Sequence, residues 1–183
     1  MDTSPSPFAS RRAPHTSAAG FTLSELLVCL LLASTLAIAA TSTLSRFAAE
    51  QRLISASNDL LTLMRLARGE AMTSGPILLC DHNHACTRFE TTQNLAVLRA
   101  SNTPPHMEPE AGRPPLALLT LPPDVHVSWR RFRGNALLFH RNGILHFQNG
   151  HFLICNRHAS RRIVMNWAGR PRVESGGSAA PCP

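Results

Sequence analysis

The chain of 183 residues is long enough for one compact domain besides a terminal helix, which excludes a large multidomain enzyme. It has 18 basic residues, all of them arginine, against 11 acidic ones, and a formal net charge of +7. Residues 46–124 are almost neutral, whereas residues 125–183 have nine arginines against Glu174 alone. A coding bias explains the missing lysines but not this scarcity of acids. The C-terminal third therefore indicates a polyanion as partner: a nucleic acid, or the phosphates of a membrane surface or of lipopolysaccharide.

A short polar leader precedes an apolar run at residues 20–40. Arg11 and Arg12 place the leader on the cytoplasmic side of a membrane, and the run is long enough to span the hydrocarbon core. The run is either the apolar part of a signal peptide cleaved near residues 37–39, a plain anchor, or a segment with a role in assembly. Glu25 favours assembly, because a carboxylate near the hydrocarbon edge costs roughly 2 to 3 kcal/mol unless it has a partner.

The start of the run resembles the cleavage and methylation motif of type IV pilins and pseudopilins, with the order Gly20-Phe21-Thr22-Leu23-Ser24-Glu25. The resemblance implies that prepilin peptidase removes residues 1–20 by cutting between Gly20 and Phe21, and that Phe21 becomes the N-methylated first residue. It also implies that Glu25 pairs with the N-terminal amine of a neighbouring subunit.

By the same resemblance, residues 21–42 form a transmembrane and filament-core helix that contacts the membrane through residues 21–40. We expect a single-pass protein of the inner membrane with its C-terminal domain in the periplasm, later incorporated into a pilus at the cell surface.

The helix is predicted to continue as an amphipathic segment over residues 43–75. Its apolar residues recur at helical spacing and form one stripe, which consists of Leu53, Ala56, Leu60, Leu63, Met64, Ala67 and Ala71. Ser74, Gly75 and Pro76 predict its end, because glycine suits the C-terminal cap and proline cannot continue a helix. The sequence thus predicts one helix from about residue 21 to 72.

Short apolar runs replace the helical pattern after residue 76, and we expect a globular β domain over residues 76–173 with a tail at 174–183. Strands are predicted at 77–80, 95–99, 116–120, 125–129, 136–140, 144–148, 151–156 and 162–167. Asn-Gly pairs at 142–143 and 149–150 separate three of these runs and predict a meander. The expected fold class is α+β and type IV pilin-like, with a long N-terminal helix packed on an antiparallel sheet or sandwich.

The four cysteines beyond the membrane segment can oxidise in a periplasm, and their three possible pairings stay open. They are Cys80, Cys86, Cys155 and Cys182. His82 and His84 lie between the first two cysteines at a spacing that zinc would accept. An oxidising compartment favours a Cys80–Cys86 disulfide instead, which would leave Cys155 and Cys182 to fasten the tail. We therefore expect neither a metal nor a cofactor.

The C-terminal half resembles the end of the GspH/FimT family of minor pilins. The resemblance rests on residues 139–143, 149–155, 162–166 and 169–173, and the Gly-Arg-x-Arg order at 169–172 favours FimT-like members. FimT-like minor pilins of naturally competent bacteria are linked to the binding of DNA during uptake. The resemblance assigns that role to Gly169, Arg170 and Arg172.

The arginines suit contacts with a phosphate backbone. In an extended segment Arg170 and Arg172 point to the same side, about 7 Å apart, as successive phosphates of a DNA strand are. Pro171 lacks an amide donor, which favours an edge strand or a tail. Arginines that would widen the patch are Arg157, Arg161, Arg162, Arg130, Arg131 and Arg133. Without an aromatic ladder beside them, we expect little readout of bases. The alternative is a tight turn with two solvated charges.

The sequence shows neither a nucleophile elbow nor a phosphate loop, so we expect no enzyme. We expect a minor type IV pilin that joins or caps a pilus and binds DNA through its basic C-terminal region during natural transformation. Its expected partners are other major and minor pilins, prepilin peptidase, the membrane and DNA. The alternative is a GspH-type pseudopilin, or a priming subunit of pilus or type II secretion assembly, that does not bind DNA. A third possibility is a periplasmic metal-binding domain with a simple anchor. The spacing of Gly20, Phe21 and Glu25 argues against it, because a simple anchor does not need this motif.

Overall fold

The computed structural model describes residues 20–89, 91–101, 108–132, 134–145 and 148–174. Outside these ranges lie residues 1–19 of the leader, Arg133, and residues 175–183 of the predicted tail, which include Cys182. Helix α1 spans Leu23–Ser74. The strands are β1 (Ile77–Asp81), β2 (Asn94–Arg99), β3 (Ala117–Thr120), β4 (His126–Arg130), β5 (Ala136–Phe139), β6 (Gly150–Cys155), β7 (Ser160–Met165) and β8 (Pro171–Glu174). The chain forms two units, one up to Thr41 and one from Ser42 onwards.

The first unit contains the apolar part of α1, whose large side chains are exposed in the single chain, Leu23 to 80% and Ile38 to 74%. The hydroxyls of Ser34, Thr35 and Thr41 each donate to a carbonyl three residues earlier, at 2.8 Å. These polar groups are therefore satisfied within the helix, as an environment without water requires. Among the described residues no single helix is both long and apolar enough to cross a membrane; Leu23–Ile38 and Thr43–Ser74 meet the requirement only together.

The second unit begins with the amphipathic part of α1, and all seven residues of the predicted stripe are buried there. The helix ends at Ser74 because Gly75 adopts a φ of 111°, a conformation that residues with a Cβ atom rarely take, and Pro76 follows. The predicted helix is thus confirmed to within two residues at each end.

Two antiparallel sheets of four strands follow, sheet A in the order β3-β2-β1-β5 and sheet B in the order β4-β6-β7-β8. One core joins both sheets to the helix stripe. It includes Leu60 and Met64 of α1, Leu79 and Leu137 of sheet A, and Phe152 and Ile163 of sheet B. The α+β fold with a long helix packed on antiparallel sheets is confirmed.

The predicted meander around the two Asn-Gly pairs is wrong. β5 pairs with β1 in sheet A, whereas β6 lies between β4 and β7 in sheet B. The first pair does form a tight turn, with Gly143 at a φ of 72° and its amide donating to His140 O at 2.7 Å. Beyond that turn, however, the amide of Leu145 donates to Trp167 O at 2.8 Å, and neither residue 144 nor 145 is in a strand.

The second Asn-Gly pair is not a hairpin turn either, because Gly150 is the first residue of β6. A Cβ atom at Gly150 would lie 2.6 Å from Arg130 O and 2.8 Å from the ring of Phe132. Glycine is needed there because the backbone of β4 approaches too closely for any side chain, not because a turn requires a positive φ.

Candidate polyanion-binding face

One row of residues crosses sheet B on its outer face. Arg130 of β4 lies opposite His151 of β6, His151 lies opposite Val164 of β7, and Val164 lies opposite Arg172 of β8. Residues directly opposite each other in an antiparallel sheet point to the same side. Arg130 and Arg172 are exposed, and His151 between them is half-buried.

The neighbouring row on the same face supplies a third arginine and a carboxylate. Arg162 of β7 lies opposite Glu174 of β8. Glu174 pairs with Arg162 at 3.6 Å (Oε2 to Nη1) and with Arg172 at 3.3 Å (Oε1 to Nη2). Both arginines are strongly exposed, so the pairs contribute little to stability, and one carboxylate offsets only part of the positive charge.

The pKa of His151 depends on its burial and on the charges of this surface. Burial lowers the pKa of His151 below 6.5, and the positive charges of Arg162, Arg131 and Arg130 lower it further, against an opposing effect of Glu174. Burial and neighbouring positive charges both disfavour the protonated form of an imidazole. Arg130, Arg131, Arg162 and Arg172 around His151 are called the basic face below.

Arg131 belongs to the basic face although it lies just beyond β4. Its φ of 64° is left-handed, which costs an L-residue roughly 1 to 2 kcal/mol. Such strained residues are enriched at functional sites, where the surrounding structure holds them.

Of the arginines expected to contact DNA, the structure brings Arg162 and Arg172 together on one face with Arg130 and Arg131. Arg161 lies opposite Ile154, on the inner face of sheet B, and its Nε is buried without a hydrogen-bond partner among the described residues. Arg157 is exposed in the turn between β6 and β7, at the opposite end of the strands from the row of His151.

Gly169 and Arg170 occupy a different position, against α1. Gly169 is buried with a φ of 69°, and a Cβ atom there would collide with Gly143 O. Gly169 thus shapes the backbone of this turn. Arg170 lines a groove with Arg65 and Arg68 of α1.

Sequence reasoning missed His151 as a member of the site and named Arg130 and Arg131 only as arginines that would widen the patch. The sequence does not show the strand register, which places Arg130 beside His151, more than twenty positions away. The edge position predicted from Pro171 is correct, since β8 is the last strand of sheet B.

Cys80 and Cys86 form a disulfide, so their sulfurs are not available as thiolate ligands for zinc. The loop between them is held to the sheet by the buried carboxylate of Asp81. Its Oδ2 lies 2.8 Å from His84 Nδ1, and its Oδ1 accepts from the Thr92 hydroxyl at 2.8 Å. The predicted partner of Cys155, Cys182, lies outside the described residues, so that pairing stays a prediction.

The N-terminal motif begins the helix with a capping pattern. Thr22 Oγ1 accepts from the Glu25 amide at 3.3 Å, and Leu26 N donates to Thr22 O at 3.2 Å. Threonine is a common N-cap residue, because its side-chain oxygen accepts a hydrogen bond from an amide in the first turn of the helix. Because the cap uses the amide of Glu25, its carboxylate is not needed for that hydrogen bond.

A long helix with an apolar first part, packed through its second part on two antiparallel sheets, defines a class: the subunits of type IV pili and related filaments. Two crystal structures of the minor pilin FimU from Pseudomonas aeruginosa PAO1 share this fold. The first superposes with a TM-score of 0.54 at 19% identity and covers 70% of this chain and 92% of FimU. The second superposes with a TM-score of 0.52 at 20% identity and covers 67% and 92%.

The sequence profile of the family described as "Type II transport protein GspH" matches residues 56–169, more than half of the chain. The protein therefore belongs to the GspH family of minor pilins and pseudopilins. No curated protein sequence matches the chain significantly. Membership makes it a structural subunit that associates with other pilins in a membrane-anchored filament.

Proposed function

We propose that this minor pilin joins or caps a pilus and uses its basic face to bind the phosphate backbone of DNA during natural transformation. The observation that carries the proposal is the basic face itself. Arg130, Arg131 and Arg162 act on His151, and Arg162 and Arg172 share the carboxylate of Glu174. An arginine fork can bond two phosphate oxygens, and the burial of phosphates against such a surface releases counterions.

The proposal includes the maturation that the N-terminal motif implies. Prepilin peptidase removes residues 1–20, Phe21 is N-methylated, and Glu25 pairs with the amine of a neighbouring subunit in the inner membrane. Capping by Thr22 leaves the Glu25 carboxylate available for that pairing.

The geometry favours DNA contact without base readout. Arg162 of β7 and Arg172 of β8 are diagonal neighbours on one face, and diagonal neighbours lie about 7 to 8 Å apart, close to the spacing of successive phosphates. The aromatic rings of sheet B face inward: Trp129 packs on Phe89 and Phe132 with ring centroids 4.5 Å apart. They are therefore not available as a stacking platform on the basic face.

The test is a gel shift with the full chain in neutral detergent. For the wild type we expect the logarithm of the association constant for DNA to fall with the logarithm of the salt concentration at a slope of about −3 to −4.5. For R162Q/R172Q the slope should be smaller in magnitude by about 2. A control, R46Q/R113Q, removes the same charge outside the basic face and should keep the wild-type slope. Unchanged retention of DNA by R162Q/R172Q would refute the proposal.

Glu174 provides a test in the opposite direction. E174Q removes the carboxylate that competes with phosphate for Arg162 and Arg172, so affinity should rise by roughly three- to tenfold. E110Q is the matched control, because Glu110 has a similar exposed ion pair, with Arg113 at 3.2 Å. Equal effects of the two changes would mean that Glu174 does not compete with DNA.

A second function is an assembly subunit of GspH type that does not bind DNA. The observation in its favour is the match to the GspH family, whose description refers to type II transport. A wild-type chain that enters filaments but retains no DNA at low salt would establish this alternative.

A further inference from the structure

We propose that a groove between α1 and the turn joining β7 to β8 is a second phosphate site, which extends the DNA contact from the basic face onto the helix. The groove has a volume of about 440 Å³ and is lined by Arg65, Arg68, Gly69, Met72, Arg170 and Pro171. The inference rests on the proposed function, since it assigns further residues to the same ligand.

Three arginine side chains line the groove without a carboxylate partner among the described residues. They are Arg65, Arg68 and Arg170. Like charges gathered around one depression repel each other, and a bound anion removes that cost. Phosphate fits the chemistry, because each guanidinium can bond two of its oxygens.

The position of the arginines is fixed by the backbone. Arg68 Nε donates to Gly143 O at 3.2 Å, which leaves the two Nη groups of this guanidinium for a ligand. The same carbonyl lies against Gly169, and the Arg170 amide donates to Asn166 Oδ1 at 3.2 Å. Gly143 O therefore connects Arg68 of the helix with the turn that holds Arg170.

Gly69 gives the groove its floor. The residue is exposed within α1, and a Cβ atom there would meet nothing within 4 Å. Neither its conformation nor its packing calls for glycine, which costs roughly 0.5 to 1 kcal/mol relative to alanine inside a helix. An open floor beside two arginines lets a phosphate approach the helix closely.

The groove and the basic face meet on β8. Pro171 lines the groove, and the next residue, Arg172, belongs to the basic face. The backbone step from Arg170 to Arg172 is about 7 Å, so the two sites are continuous along the chain.

The decisive variants are G69E and G69Q, in the full chain in neutral detergent. A glutamate at 69 places a carboxylate four residues after Arg65 on the same helix face and fills the floor, whereas glutamine has the same size without the charge. We expect G69E to weaken DNA binding about tenfold or more at 0.15 M salt and to lower the magnitude of the salt slope by 1 to 2. G69Q should be nearer to the wild type.

A second variant, R65Q/R68Q, should lower the magnitude of the slope by about 2, with R46Q as the control on the same helix. If R162Q/R172Q abolishes binding while G69E and R65Q/R68Q behave as the wild type, the groove is refuted and the basic face stands. If G69E and R65Q/R68Q abolish binding while R162Q/R172Q behaves as the wild type, the groove binds DNA and the basic face is refuted.

The same variants are measured on vesicles of phosphatidylglycerol and on neutral vesicles of phosphatidylcholine. Binding to anionic vesicles that G69E removes, without any binding of DNA, would overturn the assignment to DNA in favour of lipid phosphates. Absence of binding to both probes would overturn the groove as a phosphate site.

Discussion

His151 lies among the arginines of the basic face and is half-buried there. Its pKa is lowered first by burial and then by Arg162, Arg131 and Arg130. A histidine in this position is neutral near pH 7, so it adds no charge to the face under those conditions.

The lowered pKa predicts that this residue destabilises the fold on acidification. The unfolded chain takes up a proton at His151 near pH 6.5, but the folded chain does so only at a lower pH. Below about pH 6.5 the unfolded state therefore binds more protons, and the free energy of unfolding decreases as the pH falls. H151Q should lose less stability than the wild type between pH 7 and 5.

Thermal unfolding of the full chain, followed by near-UV circular dichroism at several pH values, measures this effect. H126Q, which removes a histidine of β4 in the same sheet, is the control. The prediction is wrong if the wild type and H151Q show the same pH dependence.

At the scale of elements, Gln148 has a role that no strand pattern indicates. β5 is an edge strand of sheet A. The Gln148 side chain accepts from Leu138 N and donates to Ala136 O, both at 2.8 Å. Its amide thus takes the place of a neighbouring strand and satisfies two backbone groups of an otherwise open edge.

Replacing this glutamine should cost stability and expose the edge. Q148A leaves a backbone donor and a backbone acceptor of β5 without their partner, and we expect a loss of about 1 to 3 kcal/mol in the free energy of unfolding. The exposed edge should also increase self-association of the chain. Q51A, at an exposed position of α1, is the control.

Chemical denaturation and size-exclusion chromatography in detergent measure the two effects. A stability of Q148A equal to that of Q51A would show that solvent replaces both hydrogen bonds without cost.

Elements that depend on interactions between residues close in sequence were predictable, whereas those that depend on distant residues were not. The stripe from Leu53 to Ala71 was predictable because a helix repeats over neighbouring residues. Seven of the eight predicted strands are present for a similar reason, since alternation is local. The Asn-Gly pairs misled the prediction because the partner of a strand is chosen by the core: β5 has β1 on one side and Gln148 on the other.

On the scale of the whole molecule, the exposed apolar residues of the first unit require a partner. Leu23, Leu30 and Leu36 are more than half exposed in the single chain. Such a surface is stable only in lipid or against other helices. Membership of the GspH family supplies the neighbours, namely other pilins of a filament.

The proposed pairing of Glu25 predicts a separation between processing and assembly. E25A keeps the Thr22 cap, which uses the amide of residue 25, and we expect normal removal of the leader. We also expect at least a tenfold loss of the chain from sheared filaments, because the carboxylate no longer pairs with a neighbouring N-terminus.

Immunoblots of whole cells and of the filament fraction measure both steps, with E50A, an exposed glutamate of the same helix, as the control. Wild-type levels of E25A in filaments would exclude the pairing.

The sequence by itself determined the long helix, its apolar first part, the α+β class and the basic C-terminal third, because periodicity, capping and charge are written in neighbouring residues. It also pointed to Arg162 and Arg172 among the candidate residues. Only the tertiary structure decided that these two share a face with Arg130 and His151, that Arg161 points inward, and that Arg170 joins Arg65 and Arg68 of α1. The physical reason is that strand register and helix packing join residues far apart in the chain, and both are fixed by the burial of one common core.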